Sequence, residues 1–372
     1  MSSLFPRGSE RPTAWVNCLY LLSAETTTPQ MRFEQRASAI DAVVSETNQT
    51  KTDTLTIDWA RIDIPELHFS MFFGTSRLPD NRQLDIEVSQ IAGEGELTEQ
   101  IFKRIIKSLK FEDNQLLKDG TEIVAEIKRR GIDSFLNSQN QQAYFLIKDE
   151  AKRNIGFTMD MIIDSDIDGS ATDDQPDIRA AGQFYIRGQN SVEHTTFFQC
   201  SNNLDQFVYK SETSGRIGRI IAEIVLNETE VITIRTFPRT APGAEFQTQT
   251  DEQSYRLGPA MIPEVFLDQL LMQMLVSEKE QIIVDIIEAT GKIIPTLLTE
   301  IETAEDITAD KDAAFAFELE LLDGSGFSER LYLNEQKQVY KRLARQDNLY
   351  ILERTGAEDI ASEFPEHAGR IL

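Results

Sequence analysis

I-P-E-V-F-L-D-Q-L-L-M-Q-M-L-V-S, residues 262–277, is the strongest helix signal in a chain that otherwise reads as strands. Pro263 suits a first helical turn, where its missing N–H costs nothing, and Glu264 complements the positive end of a helix. The polar positions Glu264, Asp268, Gln273 and Ser277 recur about every fourth residue, so they form one narrow stripe on a helix that is apolar elsewhere. A helix with so little polar surface is surrounded by protein or faces something apolar. The spacing therefore predicts a helix over 263–277 lodged against a sheet.

The sheet is read from both flanks. Upstream, Ala143–Lys148, Ile155–Ile163, Gly182–Arg187, Val192–Gln199, Gln206–Ser211, Gly218–Leu226 and Val231–Phe237 follow one another across short turns, the pattern of antiparallel neighbours. Pro238–Gln253 reads as a polar loop leading to the helix. Downstream, strands are expected at Gln281–Glu288, Lys292–Ile301, Phe315–Leu322, Phe327–Asn334, Gln338–Arg345 and Asn348–Glu353. In Phe315 to Leu321 the odd positions are apolar and the even ones include Glu318 and Glu320, so one face is buried and the other solvated. A short helix over Ala357–Phe364 closes the chain.

Before this run lies a smaller unit, 51–115. It has strands at Thr54–Ile64, His68–Leu78 and Gln83–Ile91 and a helix after Thr98 in which Ile101, Phe102, Ile105, Ile106 and Leu109 share a face. Residues 1–50, rich in Ser, Thr and Gln, read as a tail with one short helix near Gln35–Val44. A second helix, Thr121–Arg130, ends at Gly131 and opens the larger domain, 116–372. The expected fold class is α+β: antiparallel and β-rich, with a large curved sheet or half-barrel holding one apolar helix, preceded by a small α/β unit.

At the level of strand order and one apolar helix, residues 143–354 resemble the LolA-like half-barrels of lipoprotein carriers, in which a sheet curls around helices. That resemblance implies apolar material on the concave side. Ile105-Ile106-Lys107-Ser108-Leu109-Lys110-Phe111 resembles the closing helix of PsbP-like domains, a likeness of about 60 residues to which no functional motif is attached.

Composition excludes more than it assigns. With 37 Lys plus Arg against 62 Asp plus Glu, the formal charge is −25, which repels nucleic-acid phosphate and anionic membrane surfaces. No run approaches the roughly 20 apolar residues that cross a bilayer. Cys18 and Cys200 are too few for a disulfide framework or a cysteine zinc site, although one bridge between them is open. Trp15–Ala24, short and interrupted by Asn17, is the nearest thing to an export signal. The cytoplasm is the default expectation and the cell envelope the alternative.

The sharpest chemical motif is the D-x-D-x-D-G run beginning at Asp164. There Asp164, Asp166, Asp168 and Asp173 would converge on Ca2+, with Gln175 standing where a calcium loop has its bidentate Glu. No zinc-protease, P-loop, dinucleotide or serine-hydrolase motif is present, and His68, His194 and His367 are not spaced to serve Cys18 or Cys200. The helix could line an apolar groove through Phe266, Leu270 and Met274, faced by Phe317. Three function classes follow. The first is a non-enzymatic binder of an apolar small molecule, lipid or lipidated partner. The second is an interaction or assembly subunit, meeting a protein partner through a solid core, and the third a hydrolase of unrecognised type.

Overall fold

The computed structural model describes residues 2–4, 14–22, 28–64, 69–78, 82–90, 95–110, 114–131, 142–164, 178–187, 191–201, 203–215, 218–227, 230–239, 247–302, 312–323, 325–345 and 348–371. The chain divides into two compact units, Met1–Asn114 with Leu322–Gly324, and Gln115–Leu321 with Ser325–Leu372.

The first unit begins with β1 (Ser2–Leu4), β2 (Ala14–Leu22), α1 (Pro29–Ser38), β3 (Val43–Lys51) and β4 (Thr56–Ile64). It continues with β5 (Phe69–Arg77), β6 (Arg82–Gln90) and α2 (Gly95–Ser108). Its strands form one antiparallel sheet in the order β1-β2-β6-β5-β4-β3. The expected tail over 1–50 is thus corrected: it supplies two long strands and a helix. Of the stretch nearest to an export signal, residues 15–22 belong to β2, which pairs with β6 from Ala14↔Gln90 to Leu22↔Arg82. The predicted helix near Gln35–Val44 starts earlier, because the Thr28 hydroxyl accepts from the Met31 N–H at 3.2 Å and Pro29 fixes the first turn. One sheet face holds Ile57, Trp59, Phe72, Ile86 and Val88 against Phe102 and Ile106 of α2. Trp59 and Phe72 lie 5.7 and 5.6 Å from the Phe102 ring. On the other face, Phe33 of α1 meets Phe73, and Asp85 is held by Arg32, Thr75 and Gln83.

The second unit opens with α3 (Gln115–Arg130), stopped at Gly131 with φ +82°, the left-handed cap that its sequence predicts. An antiparallel meander follows: β7 (Gln142–Lys148), β8 (Asn154–Asp164), β9 (Ile178–Ile186), β10 (Val192–Cys200), β11 (Phe207–Gly215), β12 (Gly218–Asn227), β13 (Glu230–Arg239) and β14 (Gln247–Arg256). The polar loop expected over 238–253 is therefore mostly strand. β14 is exposed on both faces and lacks the alternation that reveals a strand, but it pairs with β13 along its whole length.

After β15 (Met261–Pro263), a 3-10 turn (Glu264–Phe266) leads into α4 (Leu267–Val276). The predicted helix is shortened at its start. Pro263 has ψ 142° and ends an edge strand parallel to β16, where a residue without an N–H is tolerated. The second meander is β16 (Gln281–Ile287), β17 (Ile293–Ile301), β18 (Phe315–Leu321), β19 (Ser328–Leu333), β20 (Val339–Arg345) and β21 (Leu349–Arg354). Helices α5 (Ala357–Glu363) and α6 (Ala368–Ile371) follow.

All fifteen strands form one sheet, in the order β14 to β7, then β21 to β15. Laid flat at about 4.8 Å per strand, its edges would stand roughly 65 Å apart. Yet only residues 257–260 connect β14 to β15, and so short a link spans at most about 17 Å. The sheet must therefore roll until its edges nearly meet. β14 and β15 are not paired, so it is an incomplete barrel, and the α+β, antiparallel, β-rich expectation describes it.

Inside, Phe266, Leu270, Leu271 and Met274 have no accessible surface. Outside, Phe364 of the C-terminal segment packs on Phe157 and Tyr185 at 5.2 and 5.9 Å. Helix α3 approaches β16 so closely that a Cβ on Gly120 would sit 2.0 Å from the Ile283 carbonyl oxygen. Gly to Ala inside a helix ordinarily stabilises by about 1 kcal/mol. Here Gly120→Ala is expected to lower the melting temperature, because α3 must lift off β16. A raised melting temperature in calorimetry would show that the contact yields.

Candidate functional site

In antiparallel sheets directly paired residues share a face, so the register tells which side chains look inward. One row runs Asp160–Gly182–Thr196–Ser211–Ala222–Arg235 across β8 to β13. In the other direction the same face carries Phe145, Arg354, Leu352, Arg342, Leu331 and Phe317. This face is the concave one, because the segment entering α4 lies on it. Phe266 meets Phe198 at 5.3 Å, and Glu264 accepts from the Tyr209 hydroxyl at 2.9 Å.

Charged groups converge beside the start of α4. Arg342 donates two parallel hydrogen bonds to Glu329, at 2.7 and 3.0 Å, in the fork geometry that makes Arg–carboxylate pairs strong. Burial works against the Arg342 charge, but Glu329, Asp160 and Asp268 around it outweigh burial and hold it well above the usual arginine range. Asp268, half-buried on α4, is raised by burial, with Arg342 and Arg354 opposing. Asp160 is pushed up to about 6, first by burial and further by Asp268, against the pull of Arg342. Its side chain is nevertheless exposed to solvent. Among the described residues neither Asp160 nor Asp268 makes an ion pair, and Asp160 receives only a long 3.4 Å contact from Thr158.

Glu264 forms a second polar knot. Its Oε1 accepts from Tyr209 and from the Ala289 N–H, both at 2.9 Å, so it ties β11 and the turn after β16 to the entrance of α4. Burial pushes Glu264 up to about 7, with Glu288 and Asp160 adding to the rise, and burial and Glu264 hold Tyr209 well above the ordinary phenol value.

The residues singled out from sequence fare differently. Phe266, Leu270, Met274 and Phe317 are brought together on the concave side, but each has zero accessible surface, so they are packed core and line no open groove. The polar stripe does not face solvent: Gln273 is buried, and Glu264 and Asp268 point among the charged groups of the sheet. Asp164 is the last residue of β8, while Asp166, Asp168 and Asp173 lie outside the described residues. Among the described residues no group of His, Cys, Asp or Glu could hold a metal ion. His194 and Cys200 are six positions apart on β10, about 20 Å along the strand, and His194 bonds Thr213 at 2.7 Å. Cys18 and Cys200 are not joined in a disulfide. No described helix is long and apolar enough to cross a membrane. Asp160 went unremarked in the sequence; its one signal is a carboxylate at the inward position of β8 between Thr158 and Ile162.

No family model matches the chain, and neither does any curated protein. Among solved structures it is similar to a beta-barrel-like protein of domain of unknown function DUF1849 from Brucella abortus. That match has a TM-score of 0.39 and 8% identity, covering 57% of this chain and 95% of that one.

Proposed function

We propose that the second unit is a binding protein whose concave face takes a positively charged group of its ligand on Asp160 and Asp268. The observation that carries this reading is a pair of carboxylates on the concave face that make no ion pair among the described residues: Arg342 attracts both but forks onto Glu329, and Arg354, which attracts Asp268, donates to the Val339 and Gln142 carbonyls. A carboxylate lodged among protein gains more from an incoming cation than one in open water, because the attraction is screened less. The likeness to lipoprotein carriers would instead lay an acyl chain along Phe266, Leu270, Met274 and Phe317. With no accessible surface there, such a chain would have to displace packed side chains.

Isothermal titration calorimetry at pH 8 with 1,4-diaminobutane and with its fully methylated bis-quaternary analogue tests the reading. At least one of the two is expected to bind the wild type, and Asp160→Asn with Asp268→Asn is expected to weaken it by tenfold or more. Binding should also fall as the pH drops below about 6, where Asp160 gains its proton. No heat from either cation, or heat unchanged in the double variant, would refute the proposal.

A further inference from the structure

In the first unit an open hollow of about 520 Å³ lies where helix α1 begins, lined by Gln30 and Phe33 of α1, by Thr47, Asn48 and Gln49 of β3 and by Asp58 of β4. Paired residues of an antiparallel sheet share a face, so Thr47 stands with Ala60, and Gln49 with Asp58, on the face that α1 covers. Phe33 and Ala37 pack over Ala60 and Ile62, but α1 starts only at Pro29, and the strand face runs on to Asp58 past that first turn. The lining is rich in acceptors. Gln49 Nε2 donates to Asp58 Oδ1 and Gln30 Nε2 to Glu34 Oε1, both at 2.8 Å, so each amide spends its nitrogen on a carboxylate and keeps its carbonyl oxygen. Among the described residues Asp58 Oδ2 accepts nothing and the Thr47 hydroxyl makes no hydrogen bond. Gln30, Thr47 and Gln49 are exposed, Asp58 is half-buried, and no Lys, Arg or His lines the hollow.

We propose that this hollow binds a neutral saccharide, whose neighbouring hydroxyls donate to Asp58 Oδ2 and to the Gln49 carbonyl oxygen; the site is independent of the cation-binding reading of the second unit. A lining of free acceptors calls for a ligand rich in donors, and every sugar hydroxyl carries one. An anion would meet the Asp58 carboxylate with no positive side chain to offset it. A calcium-like cation wants about six to eight oxygens, several of them charged, where the hollow offers one carboxylate. A lone ammonium gains little from a single carboxylate beside open water. An apolar ligand would strip water from the acceptors and return no hydrogen bond. The sugar also has C–H surface to lay against Pro29 and Phe33, the apolar part of the lining. At about 520 Å³ the hollow lies within the roughly 300–1,000 Å³ usual for small-molecule sites, room for a disaccharide.

The test titrates the full-length protein with maltose, cellobiose, lactose and N,N′-diacetylchitobiose, and with glucosamine as a charged control, by isothermal titration calorimetry. At least one neutral disaccharide is expected to bind at millimolar concentration. Asp58→Ala should weaken it tenfold or more, the loss of a hydrogen bond to a charged group. Thr47→Trp changes an exposed position on an edge strand, where an aromatic residue is well tolerated, and should abolish binding by filling the hollow. If Asp58→Ala does not fold, Thr47→Trp decides the matter. Silence from all the neutral sugars, binding that Thr47→Trp leaves unchanged, or binding of glucosamine alone overturns the saccharide site, and none of these outcomes touches the cation reading of the second unit.

Discussion

Arg342→Met is expected to destabilise the second unit by about 3–5 kcal/mol, the usual cost of stripping one partner from a buried ion pair. The Glu329 side chain is 8% exposed and takes both of its hydrogen bonds from this guanidinium, so it would be left charged and unpaired in the interior. Asp160 and Asp268 would lose the positive charge that most opposes their rise at the same time. Arg342→Lys should recover part of the loss, supplying charge without the fork. Arg342→Met combined with Glu329→Leu should recover most of it, because a well-packed apolar pair replaces a charge pair at little net cost. Urea unfolding of the four proteins decides the point, and a double variant no more stable than Arg342→Met would show that packing, and not the orphaned charge, sets the loss.

The second large effect is a pH dependence. Glu264 titrates near 7 in the folded protein against an ordinary value of 4.5. Between those values the folded state holds a proton that the unfolded chain has released, so stability falls as pH rises. The contribution is fully present below about pH 4.5 and gone above about pH 7, a loss on the order of 3 kcal/mol at roughly 1.4 kcal/mol per unit. Glu264→Gln keeps an oxygen to accept from Tyr209 and Ala289 but carries no charge. It should match the wild type near pH 4.5, exceed it at pH 8, and flatten the curve between. Parallel wild-type and variant curves from pH 4.5 to 8 would assign the slope to other groups.

How much of this was legible in the sequence depended on whether a residue's neighbours were local. Phe315 to Leu321 alternates because its two faces see core and solvent, and the strand lies where the alternation says. Strands β3 and β14 are edges with both faces largely exposed, so no alternation marks them, and only backbone pairing with β4 and β13 makes them strands. The helix was visible from its apolar residues, but not that β16 would claim Ile262 and Pro263 as a parallel strand and delay its start. The site was least legible. Asp160, Asp268 and Arg342 come from three elements spread over more than half the second unit, and nothing near any one of them in sequence reports that the sheet rolls until their charges act on one another.

The rolled sheet is made of two ribbons, each of which can assemble by adding the next hairpin, so nearly all of its pairing is between sequence neighbours. The exception is the junction of β7 and β21, four residue pairs from Ile351↔Lys148 to Arg354↔Phe145. These pairs close a loop of some two hundred residues, and the entropy of closing it is met there once and not shared among the other strands. In kinetic terms the ribbons are the fast, local part of folding and this short junction the slow one. A nascent chain therefore carries a nearly complete first ribbon with its β7 edge open until the last strand, β21, has been synthesised.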